Sequence, residues 1–210
     1  MKARQNENGD RDLNTLEALE LLGRVLRFQG FYLKAEKIHQ RTFRSRRTIL
    51  GLEHPNTLAS MANLAATVLE QGRWREAEEL GVRVVEAGKK VLGHEHPGTL
   101  ASMANLAAAV LEQGRWQEAE ELEIQVMETR KKVLGHEHPD TLLSMNNLAW
   151  TLNCLSRNDE AIGLMAECVQ LRTEKLGRDH PSTMSSSVAL RRWQATICSA
   201  QELCGLTNRI

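Results

Sequence analysis

Rings are scarce in this chain. Aromatic residues make up 4% of its 210 positions, so a core built mainly on aromatic rings is excluded. Ala, Leu and Glu are abundant instead, which suits helices packed closely together. An excess of either charge is also lacking, since 27 Lys and Arg balance 27 Asp and Glu. That balance removes any general pull toward nucleic acid or an anionic membrane surface. No apolar run approaches the roughly 18 residues that a spanning helix needs. The first residues, MKARQNENGDRD, contain no apolar stretch of the kind found in a secretory signal. Cys154, Cys168, Cys198 and Cys204 stand only in the C-terminal third and lack metal-ligand spacing. They read as reduced thiols of a cytoplasmic protein. The sequence has no phosphate-cradling glycine loop, zincin helix or nucleophile elbow. No catalysis and no cofactor are expected.

Proline is rare too, and its few positions are ordered. All four prolines follow a histidine, at His54-Pro55, His96-Pro97, His138-Pro139 and His180-Pro181, in steps of 42 residues (96−54, 138−96, 180−138). A fixed period of this size marks an array of repeats, each burying its apolar face against its neighbours. The repeats fall at 12–53, 54–95, 96–137 and 138–179, with a partial fifth at 180–195. Residues 1–11 are expected to be disordered, and 196–210 to form a tail or a partial cap. Repeats two and three differ at nine of 42 positions, seven of them in the second half.

Within repeat two, Leu58, Met61, Leu64, Ala65 and Val68 recur at helical spacing and predict a first helix over about 56–71. Gly72 ends it in the manner of a C-terminal cap. Ala77, Leu80, Val84 and Val91 predict a second helix over about 74–92, closed by Gly93. Glu76, Glu78 and Glu79 crowd its start and Lys89-Lys90 its end, opposing the helix dipole. Each proline then opens the next first helix, where its missing N–H costs nothing. Nothing reads as a strand.

Asn63-Leu64-Ala65, then G-R-W-x-E-A-E at 72–78, K-K-V-L-G at 89–93 and the following His-Pro resemble the 42-residue tetratricopeptide repeats of kinesin light chains. Similar units occur in the arrays of fungal NTPase-linked receptors. The resemblance implies an all-α fold, a right-handed α-solenoid of helix-turn-helix repeats with first helices lining a concave groove. It implies close packing at Ala65, Ala77 and Val84, and at Ala107, Ala119 and Val126. It also implies a non-catalytic scaffold that binds a protein or peptide ligand in that groove. The alternative is a fragment of a larger receptor or adaptor whose sensor or cargo-binding region is this array. The long heptad segment of kinesin light chains has no counterpart here, which sets their motor-binding role apart. The array reads as a piece of a longer one, with self-association expected through its uncapped ends.

On this resemblance the groove carries Asn63, Asn105 and Asn147, one position of three successive first helices. A carboxamide there can pair with a peptide backbone whatever its side chains; the alternative is that it braces a neighbouring helix. Around that column stand Glu17, Glu20, Arg24, Arg27 and Phe28 in repeat one. Ala59, Ala62, Ala66, Ala101, Ala104 and Ala108 follow in repeats two and three, and Leu143, Asn146, Trp150 and Asn153 in repeat four. Trp150 reads either as an interaction anchor or as packing for repeat five. Trp74 and Trp116 are expected in the core. Lys34, Lys37, Arg41, Arg44, Arg46 and Arg47 read either as a surface for an acidic partner or as one solvated face, and the solvated face is the expectation; the glutamates of the second helices are expected to be solvated likewise. His94 with His96 and His136 with His138 raise a third reading, a metal-dependent enzyme. Zinc wants three or four converging ligands, so inherited turn chemistry is the expectation and no metal is expected.

Overall fold

The computed structural model describes the backbone of residues 12–207 and the side chains of residues 12–196. Nine helices and no strand occur among the described residues. They are α1 (Leu13–Phe28), α2 (Tyr32–Leu50), α3 (Pro55–Glu70), α4 (Trp74–Val91), α5 (Pro97–Leu111), α6 (Trp116–Leu134), α7 (Pro139–Cys154), α8 (Asn158–Leu176) and α9 (Pro181–Thr207). The two helices expected in repeat two form as α3 and α4. The segment expected to be disordered, 1–11, lies outside the described residues. The boundary expected after residue 195 falls inside α9, whose backbone stays helical to Thr207. Residues 201–206 therefore continue the helix. Gly205 does not stop it, because one glycine costs a helix only about 1 kcal/mol relative to alanine.

The histidine–proline period is a capping device. His54, His96 and His138 precede the helices as N-caps, with proline in the first turn. The Nδ1 atom of each accepts from the amide two residues on: Asn56 at 3.1 Å, Gly98 at 3.0 Å, Asp140 at 3.1 Å, and for His180, Ser182 at 3.2 Å. Each imidazole satisfies an amide that the helix leaves unpaired. In repeat one Asp12 does the same work, accepting from the Thr15 amide at 3.0 Å. His96 and His138 thus cap their helices, while His136 Nε2 lies 2.9 Å from Glu167 Oε1; among the described residues no three His, Cys, Asp or Glu side chains cluster as metal ligands would.

First helices end at a residue with positive φ, Gly72 at 75° and Gly114 at 76°. Glycine tolerates this region because it has no Cβ. Repeat four places Ser156 there at φ 61°, the one non-glycine residue in that region among those described.

The described residues form two compact units, divided between Arg115 and Trp116. In the first, α1 to α5 pack in chain order, and the first helices α1, α3 and α5 also touch one another in succession. Leu58, Met61 and Val84 form one core cluster with Phe43 against it, and Leu64, Val68, Ala77 and Ala109 form another. In the second, α6 to α9 pack in order around Leu148, Leu152, Met165 and Trp193, with Leu142, Met145 and Cys168 alongside. Ala65, Ala77, Val84, Ala107, Ala119 and Val126 are all buried, as the close-packing points require. Such interiors have few voids, so small side chains mark where helix backbones approach.

Trp74 and Trp116 depart from expectation. They are 39% and 41% exposed. Each is the first residue of its helix, so the indole stands at the turn rather than between helices. Trp74 Nε1 lies by Gly72, 4.0 Å from where a Cβ would be.

Candidate peptide-binding groove

The first unit contains a groove of about 510 Å³ running over α1, α3 and α5. Its floor is alanine: Ala59, Ala62 and Ala66 from α3, and Ala101 from α5. Arg24, Arg27 and Phe28 close one side, and Asn63 and Asn105 stand along it. Alanine at these points follows from helix spacing, since 59, 62 and 66 fall on one face of α3. Small side chains there leave width for a ligand backbone. Arg27 stacks on Phe28, 5.0 Å from the ring centre, and reaches Glu70 at 3.9 Å. Arg24 is exposed.

The asparagine column does not act uniformly. Asn63 donates through Nδ2 to Glu20 Oε1 at 2.7 Å, so it braces α3 against α1. Asn105 is half-buried and lines the groove; the residue matching Glu20 one repeat on is Ala62, which offers no acceptor. Ala104 is half-buried but lies outside the groove lining.

In the second unit, Asn146, Asn147 and Trp150 stand on α7. Asn146 Oδ1 accepts from Ser186 Oγ at 2.8 Å, and Arg172 approaches it at 3.5 Å. Trp150 is 43% exposed, with its ring packed edge-on against Trp193 of α9 at 5.0 Å. It packs on the fifth repeat on one side and is open on the other.

Two expectations for repeat one need correction. Glu20 is not on the open groove wall but buried between helices, and Arg46 is not on a solvated face but buried beside it. Arg46 Nη1 reaches Glu20 Oε2 at 3.2 Å and donates to Ser60 Oγ at 2.8 Å and Asn56 O at 3.2 Å. Ser60 donates to the same carboxylate at 2.7 Å, and His39 Nδ1 lies 3.2 Å from its other oxygen. Burial pushes the Glu20 carboxyl up, but His39, Asn63 and Ser60 outweigh it and hold the group down at about 2. The helix-start glutamates are also more than dipole compensation. Arg73 donates to Glu36 at 2.8 Å, Arg115 to Glu78 at 2.6 Å, and Arg157 to Glu120, joining each repeat to the one before. The signal was in the sequence, as an Arg and a Glu both at the 42-residue period and 37 residues apart (73−36, 115−78, 157−120).

Antiparallel helical hairpins in a 42-residue array, capped alike and joined by recurring side-chain clamps, define a helical-repeat interaction scaffold. The chain belongs to the tetratricopeptide-repeat family: tetratricopeptide-repeat profiles match residues 14–90, 99–140 and 141–182. It is similar to a kinesin light chain-like protein of nearly identical repeats from Podospora anserina. That protein's crystal structure matches at 33% identity and a TM-score of 0.74, covering 92% of each chain. The crystal structure of a substituted form of the same protein matches at 32% identity and 0.75, again over 92% of each. BtubC (BKLC) from P. vanneervenii shares the fold at 15% identity and a TM-score of 0.69, over 98% of this chain and 89% of that one. No curated protein matches the sequence. Tetratricopeptide repeats generally mediate protein–protein interaction. No helix among the described residues is long and apolar enough to cross a membrane.

Proposed function

We propose that the groove of the first unit binds a segment of a partner protein, with the alanine floor of α3 and α5 under the ligand backbone. The observation that carries this reading is the open volume of about 510 Å³ lined by first helices together with Val84 and Gly88 of α4, and walled by Arg24, Arg27 and Phe28. A concave, partly apolar site with a few placed polar groups is the usual form of a binding pocket. Asn105 supplies a carboxamide able both to donate to and accept from a peptide backbone. The two arginines favour a segment with acidic side chains at that end. In the second unit, the open face of Trp150 beside Asn147 offers an aromatic anchor for a ligand of its own. Neither contact requires catalysis, and the protein works in this reading as a cytoplasmic scaffold.

Two alanines separate groove from core. Ala62→Leu should leave stability nearly unchanged, because Ala62 faces open volume, and should abolish binding of a peptide selected from a random display library. Ala77 is 3% exposed, and leucine there should destabilise by about 1–3 kcal/mol through overpacking. Calorimetric melting and peptide titration of both variants provide the check. Equal melting shifts, or undiminished binding to Ala62→Leu, would contradict the reading.

A further inference from the structure

Three second helices place an arginine at the same repeat position: Arg46, Arg130 and Arg172. Each is buried, with 6% exposure. Each Nη1 donates to a serine hydroxyl 14 residues on, Ser60, Ser144 or Ser186, at 2.5–2.8 Å. Each also donates to a backbone carbonyl 10 residues on, that of Asn56, Asp140 or Ser182, at 3.0–3.2 Å. The pair of acceptors is thus a recurring guanidinium seat. It holds its arginine on Ser144 and the Asp140 carbonyl in repeat three as it does beside the Glu20 carboxylate in repeat one.

Repeat two keeps the seat and lacks the arginine. Its residue is Gly88, one of the nine differences from repeat three, while Gly98 O and Ser102 Oγ stand at the two acceptor positions. Ser102 is 4% exposed, and its hydroxyl donates to Gly98 O at 2.8 Å, as Ser144 does to Asp140 O at 3.1 Å. Its lone pairs receive no arginine. Ala62 replaces the position of Glu20, so neither half of the repeat-one pair remains. Thr99, 1% exposed, has a hydroxyl without a partner, 3.1 Å from where a Gly88 Cβ would be. The unpaired threonine hydroxyl recurs at Thr57 and Thr183; at Thr99 it is buried at the edge of the groove, which Gly88, Thr99 and Ser102 all line.

We infer that the vacant seat of repeat two is a subsite for the guanidinium of an arginine side chain carried by the bound peptide. This rests on the groove being a peptide site. The incoming guanidinium replaces the missing side chain, donating to Ser102 Oγ and Gly98 O as the chain's own arginines do elsewhere. In each occupied seat a single Nη1 reaches both acceptors, and the flat guanidinium, more weakly hydrated than the ammonium of lysine, loses less solvation on entering. Arg24, Arg27 and His96 also line the groove, so the arginine must be accompanied by an acidic side chain that offsets them. The partner is therefore a segment combining one arginine with a nearby carboxylate.

The test is a nuclear magnetic resonance titration of the full chain with the blocked dipeptide N-acetyl-glutamyl-arginine-methylamide and with its citrulline and lysine counterparts. The arginine compound should shift the Gly98, Thr99 and Ser102 amides saturably and bind at least about fivefold tighter than citrulline, since a charged donor strengthens both hydrogen bonds. Ser102→Ala should weaken it about tenfold, the range for one lost charge-assisted bond. Gly88→Arg, which fills the seat from within, should abolish it, while Gly88→Ala controls for the added Cβ. If Gly88→Arg fails to fold, Ser102→Ala still decides. Equal binding of citrulline or lysine, indifference to Ser102→Ala, or no saturable shift would overturn the inference. A display-selected peptide that still binds without arginine would then show that the groove reading stands without this subsite.

Discussion

Glu20→Ala is expected to destabilise the first unit by about 3–5 kcal/mol, the cost of leaving a buried charge without its partner. The Arg46 and Glu20 side chains are only 7% and 10% exposed, so solvent cannot replace the lost carboxylate. The substitution also strips an acceptor from Asn63 and Ser60 and leaves His39 beside an empty space. A companion change of Arg46→Met should recover part of the loss, because it removes the orphaned charge; repeat two already lacks both members of the pair. Urea denaturation of the two variants and the parent provides the measurement. The pair also has a pH signature. The carboxyl sits near 2 when folded against an ordinary 4.5, so its stabilisation is present above 4.5 and is lost as pH falls toward 2. A loss below about 1 kcal/mol for Glu20→Ala would mean that Glu20 is already well hydrated.

Glu123 has the opposite sign. It is 5% exposed in α6, and its Oε2 is without a hydrogen-bond partner. Burial pushes its carboxyl up from 4.5 to about 7, opposed by Thr151 and reinforced by Glu120. The folded state therefore holds a proton that the unfolded chain releases at lower pH. The stabilisation is complete below 4.5 and is lost as pH rises through about 7. The gap corresponds to roughly 3 kcal/mol. Glu123→Gln keeps the shape and removes the titration. It should match the parent at pH ~4.5 and exceed it by roughly 2–3 kcal/mol at pH ~8, because the amide carries no charge into the buried site. Other titrating groups cancel in this difference. Parallel stability curves across the range would show that Glu123 reaches water.

Much of the fold was legible because few physical rules generate it. Proline after histidine marks each first helix, a glycine with positive φ ends it, and one apolar stripe per helix meets its neighbours. The groove floor was legible for the same reason, since Ala59, Ala62 and Ala66 share a helix face. What escaped were contacts that depend on two repeats at once. Glu20 and Arg46 look like ordinary surface charges in their own helices and become buried only when α3 covers them. Asn63 finds Glu20 across 43 positions, whereas Asn105 in the same column meets Ala62. Trp74 misleads because a large ring suggests a core, while its place at the first residue of a helix leaves it at the turn. The absence at Gly88 acquires meaning only beside the three arginines that occupy the same position elsewhere.

The central claim is that the first helices of the first unit form the ligand surface. Hydrogen exchange of the full chain with and without a display-selected peptide tests it most directly. Protection on binding should concentrate over residues 59–66 of α3 and 98–105 of α5, with α2 and α4 unchanged on their outer faces. Protection confined to α2 and α4, with α3 and α5 exchanging as in the free chain, would contradict it.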